Sequence, residues 1–194
     1  MIDQGPAQAP NAFMSSRPPS FLAPILIWLL TIVGARALDP QRAEYQIKAA
    51  FVFNFAKFVE WPPTAFPNTG SPIVIGILGE NPFQDELQQT IRDKTLNNRP
   101  LLIKQFASLG ESTNCHILFI SASEKKRLPE IFEAVRGTSV LTVGETDRFI
   151  ETGGMVNLVH EGSKIRFQIN EPVAKSAGLK ISSKMLSLAS SLAH

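Results

Sequence analysis

The run Ile73-Val74-Ile75-Gly76-Ile77-Leu78 constrains the fold most. Six apolar residues between Pro72 and Gly79 are too short for a helix and do not alternate, which is the pattern of a strand buried on both faces. Further runs follow at Leu101–Phe106, His116–Ile120 and Ser139–Val143. Helical stretches separate several of them. Asn81-Pro82 opens one to about Arg92, and Ser123 caps another that runs to Val135 and ends at Gly137. Asn97-Asn98 marks a turn before the strand at Leu101. Strands alternating with helices predict a single α/β domain with a mostly parallel central sheet of about five to six strands.

Two flanking regions complete this expectation. Met155–Val159 and Ile165–Ile169 form an antiparallel hairpin around His160-Glu161-Gly162-Ser163-Lys164. Asn170-Glu171-Pro172 starts a helix that Gly178 ends. Ile181, Met185, Leu188, Ala189 and Leu192 then share one helical stripe. At the other end, Asp39-Pro40 reads as N-cap and first turn of a long apolar helix to about Val59. Ala49, Val52, Phe53, Ala56 and Val59 make one stripe, and Ile47, Phe51, Phe55 and Phe58 a second. Glu44 and Lys48 are spaced to pair. Trp61-Pro62-Pro63 stops the helix. Two apolar stripes mean burial on most sides or a face offered to a partner.

Before that helix lies a different kind of sequence. Phe21–Val33 is apolar except for Pro24 and Thr31. It is short of the roughly 20 residues of a membrane span, but suits the hydrophobic region of a secretory signal. Arg17 precedes it, and Ala35-Arg36-Ala37 offers the small residues of a cleavage site. Residues 1–37 are therefore expected to be a signal peptide, with cleavage after Ala37 and a start at either Met1 or Met14. A domain at 38–194 would then lie outside the cytoplasm. Arg17, Arg36 and Asp3 belong to the leader, so the chain's 19 basic and 17 acidic residues fall to 17 and 16. A nearly neutral domain with no concentrated basic face excludes nucleic acid as the main partner. The lone Cys115 excludes an internal disulfide and a cysteine zinc cluster, and its position before an apolar run favours burial.

No catalytic set emerges. Gly76-Ile77-Leu78-Gly79-Glu80-Asn81-Pro82 is neither G-x-G-x-x-G nor a P-loop, and Glu80 would repel an anion. Ser123-Glu124-Lys125-Lys126 matches S-x-x-K, but the companion S-D-N and K-T-G triads are absent. Ser123 as a helix cap accounts for the same residues. His116 and His160 have no carboxylate at ligand spacing, so no metal site and no cofactor are expected. Four of the 13 Phe fall between positions 51 and 58, followed by Trp61. Such a segment is either core or an aromatic docking surface, with Phe58 and Trp61 as its anchors. Strand alternation places Arg166 and Gln168 on one face, facing solvent or an anionic ligand held by the guanidinium.

Tyr45–Pro62, Ile75–Phe83, Gly154–Leu158, Ile165–Asn170 and Ala177–Leu186 together resemble the YfiR-like family of secreted bacterial proteins. The blocks run in order through nearly the whole mature chain. The resemblance implies a periplasmic repressor rather than an enzyme. It would bind the periplasmic region of an inner-membrane diguanylate cyclase, as the family's YfiR does with YfiN, and lower cyclic di-GMP, disfavouring biofilm. It also implies a small-ligand position, for which Arg166 is the match. A homodimer is left open, because redox control through an internal disulfide cannot carry over to a chain with one cysteine. A periplasmic small-molecule sensor without a cyclase partner is the alternative.

Overall fold

The computed structural model describes Met1 and residues 39–193, so the expected signal peptide lies outside the described residues. Helix α1 (Pro40–Phe58) starts where Asp39 Oδ1 accepts the Gln41 N–H at 3.1 Å. It buries Lys48, Ala49, Val52, Phe55 and Ala56. The chain then turns extended as β1 (Val59–Glu60), which pairs antiparallel with β9 (Lys180–Ile181). Of the two stripes expected on α1, the first is core except for the half-buried Phe53. The second is split: Phe55 is core, Phe51 and Phe58 are half-buried, and Ile47 is exposed.

The main sheet holds eight strands in the order β10-β8-β7-β6-β5-β2-β4-β3. Its centre is β2 (Ile73–Leu78), β4 (Arg99–Phe106), β5 (Ile117–Ile120), β6 (Leu141–Gly144) and β7 (Val156–Glu161), all parallel. The winding reverses between β2 and β5, as in doubly wound α/β sheets. Antiparallel additions flank this centre. β3 (Thr95–Leu96) joins β4 through Asn97 and Asn98, both left-handed at φ 52° and 60°, the geometry that a two-residue hairpin turn requires. β8 (Lys164–Asn170) pairs with β7 around Gly162-Ser163.

Two apolar layers cover the sheet. On one face α1, α2 (Glu86–Ile91), α4 (Glu171–Ser176) and α5 (Ser183–Leu188) pack on Ile75, Ile77, Ile117, Phe119, Val143 and Phe167. On the other, α3 (Leu128–Ala134) and Phe149 cover Leu78, Leu118 and Ile120. No helix among the described residues is long and apolar enough to cross a membrane.

Three local expectations need correction. The helix after Asn81-Pro82 begins only at Glu86. Asn81 Oδ1 accepts the Phe83 N–H at 3.0 Å and Gln84 is left-handed at φ 50°, so the first turn is irregular. Ser123 caps no helix, because its Oγ accepts the Glu80 N–H at 3.1 Å. Residues Ala122–Arg127 form a 3₁₀ turn, and α3 starts at Leu128. Finally, the terminal stripe is not one helix. α5 stops at Leu188, and β10 (Ser191–Ala193) runs parallel to β8. The free edge of β8 offers backbone partners that a longer helix would leave unused: the Ser190 N–H donates to Phe167 O at 2.8 Å.

Candidate functional site

A lysine on the buried stripe of α1 organises the most polar region of the core. Lys48 is only 4% exposed. Burying an ammonium is costly unless it is paired, and here it has two carboxylates. Nζ lies 2.5 Å from Glu44 Oε1, one turn back, and 2.6 Å from Glu145 Oε2 on the loop after β6. Tyr45 Oη donates to the same Glu145 carboxylate at 3.1 Å, and its ring lies 4.6 Å beneath the ammonium. His160 on β7 reaches Glu44 at 3.1 Å. Burial acts to raise the Glu44 carboxyl. The hydrogen bonds and charges of Lys48 and His160 outweigh it, holding the group below its ordinary value. The Tyr45 hydroxyl is pushed well up by burial and then by the Glu145 charge beside it, so it stays a donor.

The loop that carries Glu145 is held in place from below. Phe149 is fully buried between Gly144 and Gly154, where an added Cβ would come within 2.2 Å of its ring at either position. Arg148 is left-handed at φ 58°, a conformation that non-glycine residues adopt at some cost. The Met155 N–H donates to Thr142 Oγ1 at 3.0 Å, and Asn170 Nδ2 to Ile150 O at 3.2 Å. Between this loop, Lys48 and the outer part of β7 opens a cavity of about 440 Å³. It lies beyond the carboxyl end of β6 and alongside β7, away from the winding reversal between β2 and β5 where open α/β sheets most often take ligands.

The residues expected from the sequence lie elsewhere. Arg166 and Gln168 do share the face opposite Phe167 and Ile169, as alternation predicts. Arg166 is half-exposed, with Nε 3.6 Å from Glu161 Oε2. It borders a groove of about 390 Å³ whose apolar side includes Ile47, Phe51, Phe167 and Leu188. Phe58 and Trp61 do not line that groove. Phe58 is half-buried, with the ammonium groups of Lys57 and Lys184 at 5.5 and 5.3 Å from its ring centre. Trp61 is also half-buried, and its Nε1–H donates to His116 O at 3.2 Å.

His116, just before β5, links the central strand β2 to the segment at Ala65. Its Nδ1 accepts the Val74 N–H at 3.0 Å, which leaves Nε2–H to donate to Ala65 O at 3.2 Å. Burial lowers its pKa, and it stacks on Phe66 with ring centres 4.5 Å apart. Cys115 is buried as expected, with Sγ–H donating to Ser112 O, and burial pushes its thiol up to about 12. Ser123 is engaged by the Glu80 N–H rather than by a base, so the S-x-x-K match has no nucleophile geometry behind it. Among the described residues no group of three His, Cys, Asp or Glu is placed to hold a metal ion.

Sequence reasoning paired Lys48 with Glu44 but missed Glu145. The available signal was position: 48, 52, 55 and 59 lie on one helical face, so Lys48 occupies a core site that calls for a distant counter-charge.

None of the curated proteins matches the chain. Solved structures share its fold, two of them at 11% identity. One is the ABC domain from Streptococcus pneumonia in complex with L-Trp, 11% identical with a TM-score of 0.50. The other is a conserved domain protein from Vibrio cholerae O1 biovar El Tor, 11% identical with a TM-score of 0.51. Each match covers 77% of this chain and 60% of the other. Identities this low speak for the fold alone. A family model described as YfiR/HmsC-like matches residues 45–190, from the polar turn of α1 that holds Tyr45 and Lys48 to just before β10. With the match reaching through every layer of the domain, the chain belongs to the YfiR/HmsC-like family.

Proposed function

We propose that this chain is a secreted periplasmic protein that binds the extracytoplasmic sensor region of an inner-membrane diguanylate cyclase and represses it, lowering cyclic di-GMP. The observation that carries this reading is the family match over residues 45–190, which supports a periplasmic regulator of cyclic di-GMP signalling. Export would follow from residues 1–37 acting as a signal peptide cleaved after Ala37. Repression requires only that the protein bind the inactive cyclase better than the active one. Phe58 and Trp61 are the proposed anchors, since large aromatics dominate interface energetics. Titrating the cyclase's extracytoplasmic fragment with the purified protein tests this. Binding should saturate, and both Phe58→Ala and Trp61→Ala should weaken it at least about tenfold with the circular dichroism spectrum retained. Affinity unchanged in both folded variants would remove the anchor assignment, and no binding by the wild type would remove the partner.

The groove beside Arg166 favours a second reading, a periplasmic sensor of a small ligand. Its apolar wall suits a hydrophobic body, and the half-exposed guanidinium suits an anionic group. Benzoate should then raise the melting temperature of the wild type and not of Arg166→Ala. An equal shift in both would exclude Arg166.

A further inference from the structure

Strand β4 leaves most of its outer edge open. β3 pairs only with Arg99 and Pro100, whereas β2 pairs with all of Leu101–Phe106 on the inner side. The direction of each backbone group follows from the neighbours. Val74 O and Leu78 O accept the His116 and Ser121 N–H groups on the β5 side of β2, at 2.8 and 3.0 Å. Alternation therefore turns Ile73, Ile75 and Ile77 towards β4, where the backbone groups of Leu102, Lys104 and Phe106 meet them. Leu101, Ile103 and Gln105 point their N–H and C=O groups the other way, out of the sheet, where β3 does not reach.

An open edge of this kind is a template for another strand. Natural edges are blunted by bulges, prolines or charges. Here the register of 101–106 on 73–78 has no bulge, Pro100 lies outside the open stretch, and Lys104 is its one charged side chain. Leu102, 46% exposed, sits on the same face as Lys104. We propose that this edge pairs antiparallel with the same edge of a second copy of the chain, about a twofold axis through Ile103, joining two sheets into one. Ile103 then exchanges both hydrogen bonds with the partner's Ile103, and Leu101 does so with the partner's Gln105, so every outward group of 101–105 is met. Leu102 falls opposite the partner's Lys104, whose methylene stem covers it. Charge and length select this register. An axis through Lys104 would set two ammonium groups face to face. One through Leu102 would carry Gln105 onto the partner's Arg99, which β3 already occupies. The proposal does not depend on the cyclase reading.

Sedimentation velocity of the purified protein should show monomer and dimer in exchange, with half-association between roughly 1 and 100 µM. Amide hydrogen exchange at Leu101, Ile103 and Gln105 should slow in step with the dimer fraction. Ile103→Pro removes one outward N–H and no bond to β2, so it should abolish the dimer with the circular dichroism spectrum retained. Two substitutions at the exposed Leu102 keep the test valid should the proline variant fail to fold. Leu102→Lys meets the partner's Lys104 with a like charge and should weaken association about tenfold. Leu102→Glu meets it with an opposite charge and should leave association unchanged or tighter. A protein that stays monomeric up to about 500 µM overturns the proposal. So does a dimer in which those three amides exchange as fast as in the monomer, a dimer kept by a folded Ile103→Pro variant, or equal weakening by Leu102→Lys and Leu102→Glu.

Discussion

Lys48 Nζ lies 2.6 Å from Glu145 Oε2, although the two residues are 97 positions apart and both side chains are almost fully buried. This pair ties the first helix of the domain to the loop after β6, and so shapes the cavity wall. Breaking it from one side leaves a buried charge alone. Lys48→Met should cost about 3 kcal/mol of stability by urea denaturation. Lys48→Met combined with Glu145→Leu should recover part of that loss, because both charges are then gone. A double variant less stable by the sum of the single losses would show that the pair is not coupled.

The ring of Phe149 sets a second expectation. Gly154→Ala puts a Cβ within 2.2 Å of that ring and 2.8 Å of Phe149 O, so it should destabilise by about 2 kcal/mol. Gly110→Ala meets nothing within 4 Å and serves as the control. Equal melting temperatures for the two variants would mean that Phe149 is not clamped.

His116 predicts acid sensitivity. Its pKa in the folded protein is lowered by burial from 6.5, so below about 6.5 the unfolded chain takes up a proton that the folded one refuses. The contribution of this group is present above pH 6.5 and is lost as pH falls through the lowered value. Denaturation midpoints at pH 7.5 and pH 5 should differ in that direction, and His116→Phe should flatten the slope. The same slope in the variant would assign the effect to other groups.

Cys115 should be silent in the native state. Its thiol is buried and raised to about 12, so little thiolate is present or reachable at pH 8. Ellman's reagent should register one thiol per chain only after denaturant is added. Prompt native labelling would contradict the burial.

The sequence made the α/β layout readable because the strands announce themselves locally. Ile73–Leu78 is bounded by Pro72 and Gly79, and Asn97-Asn98 and Gly162 sit where tight turns need them. What stayed hidden depends on contacts made at a distance. The stripe from Ile181 to Leu192 has helical spacing, yet the open edge of β8 captures its end as a strand. Ser123 looks like a cap, but Glu80, 43 residues earlier, takes its oxygen. Of the candidate site, Arg166 was legible through alternation. Glu145 was not, since nothing in its local pattern tells that the loop after β6 folds over Lys48.

The proposed role is repression of a diguanylate cyclase from outside the cytoplasm. Intracellular cyclic di-GMP in the source bacterium, with and without the gene, tests it most directly. Deletion should raise the level, and the chain with residues 1–37 should restore it while a version starting at Leu38 should not. An unchanged level across several growth conditions, or rescue by the leaderless version, would contradict the account.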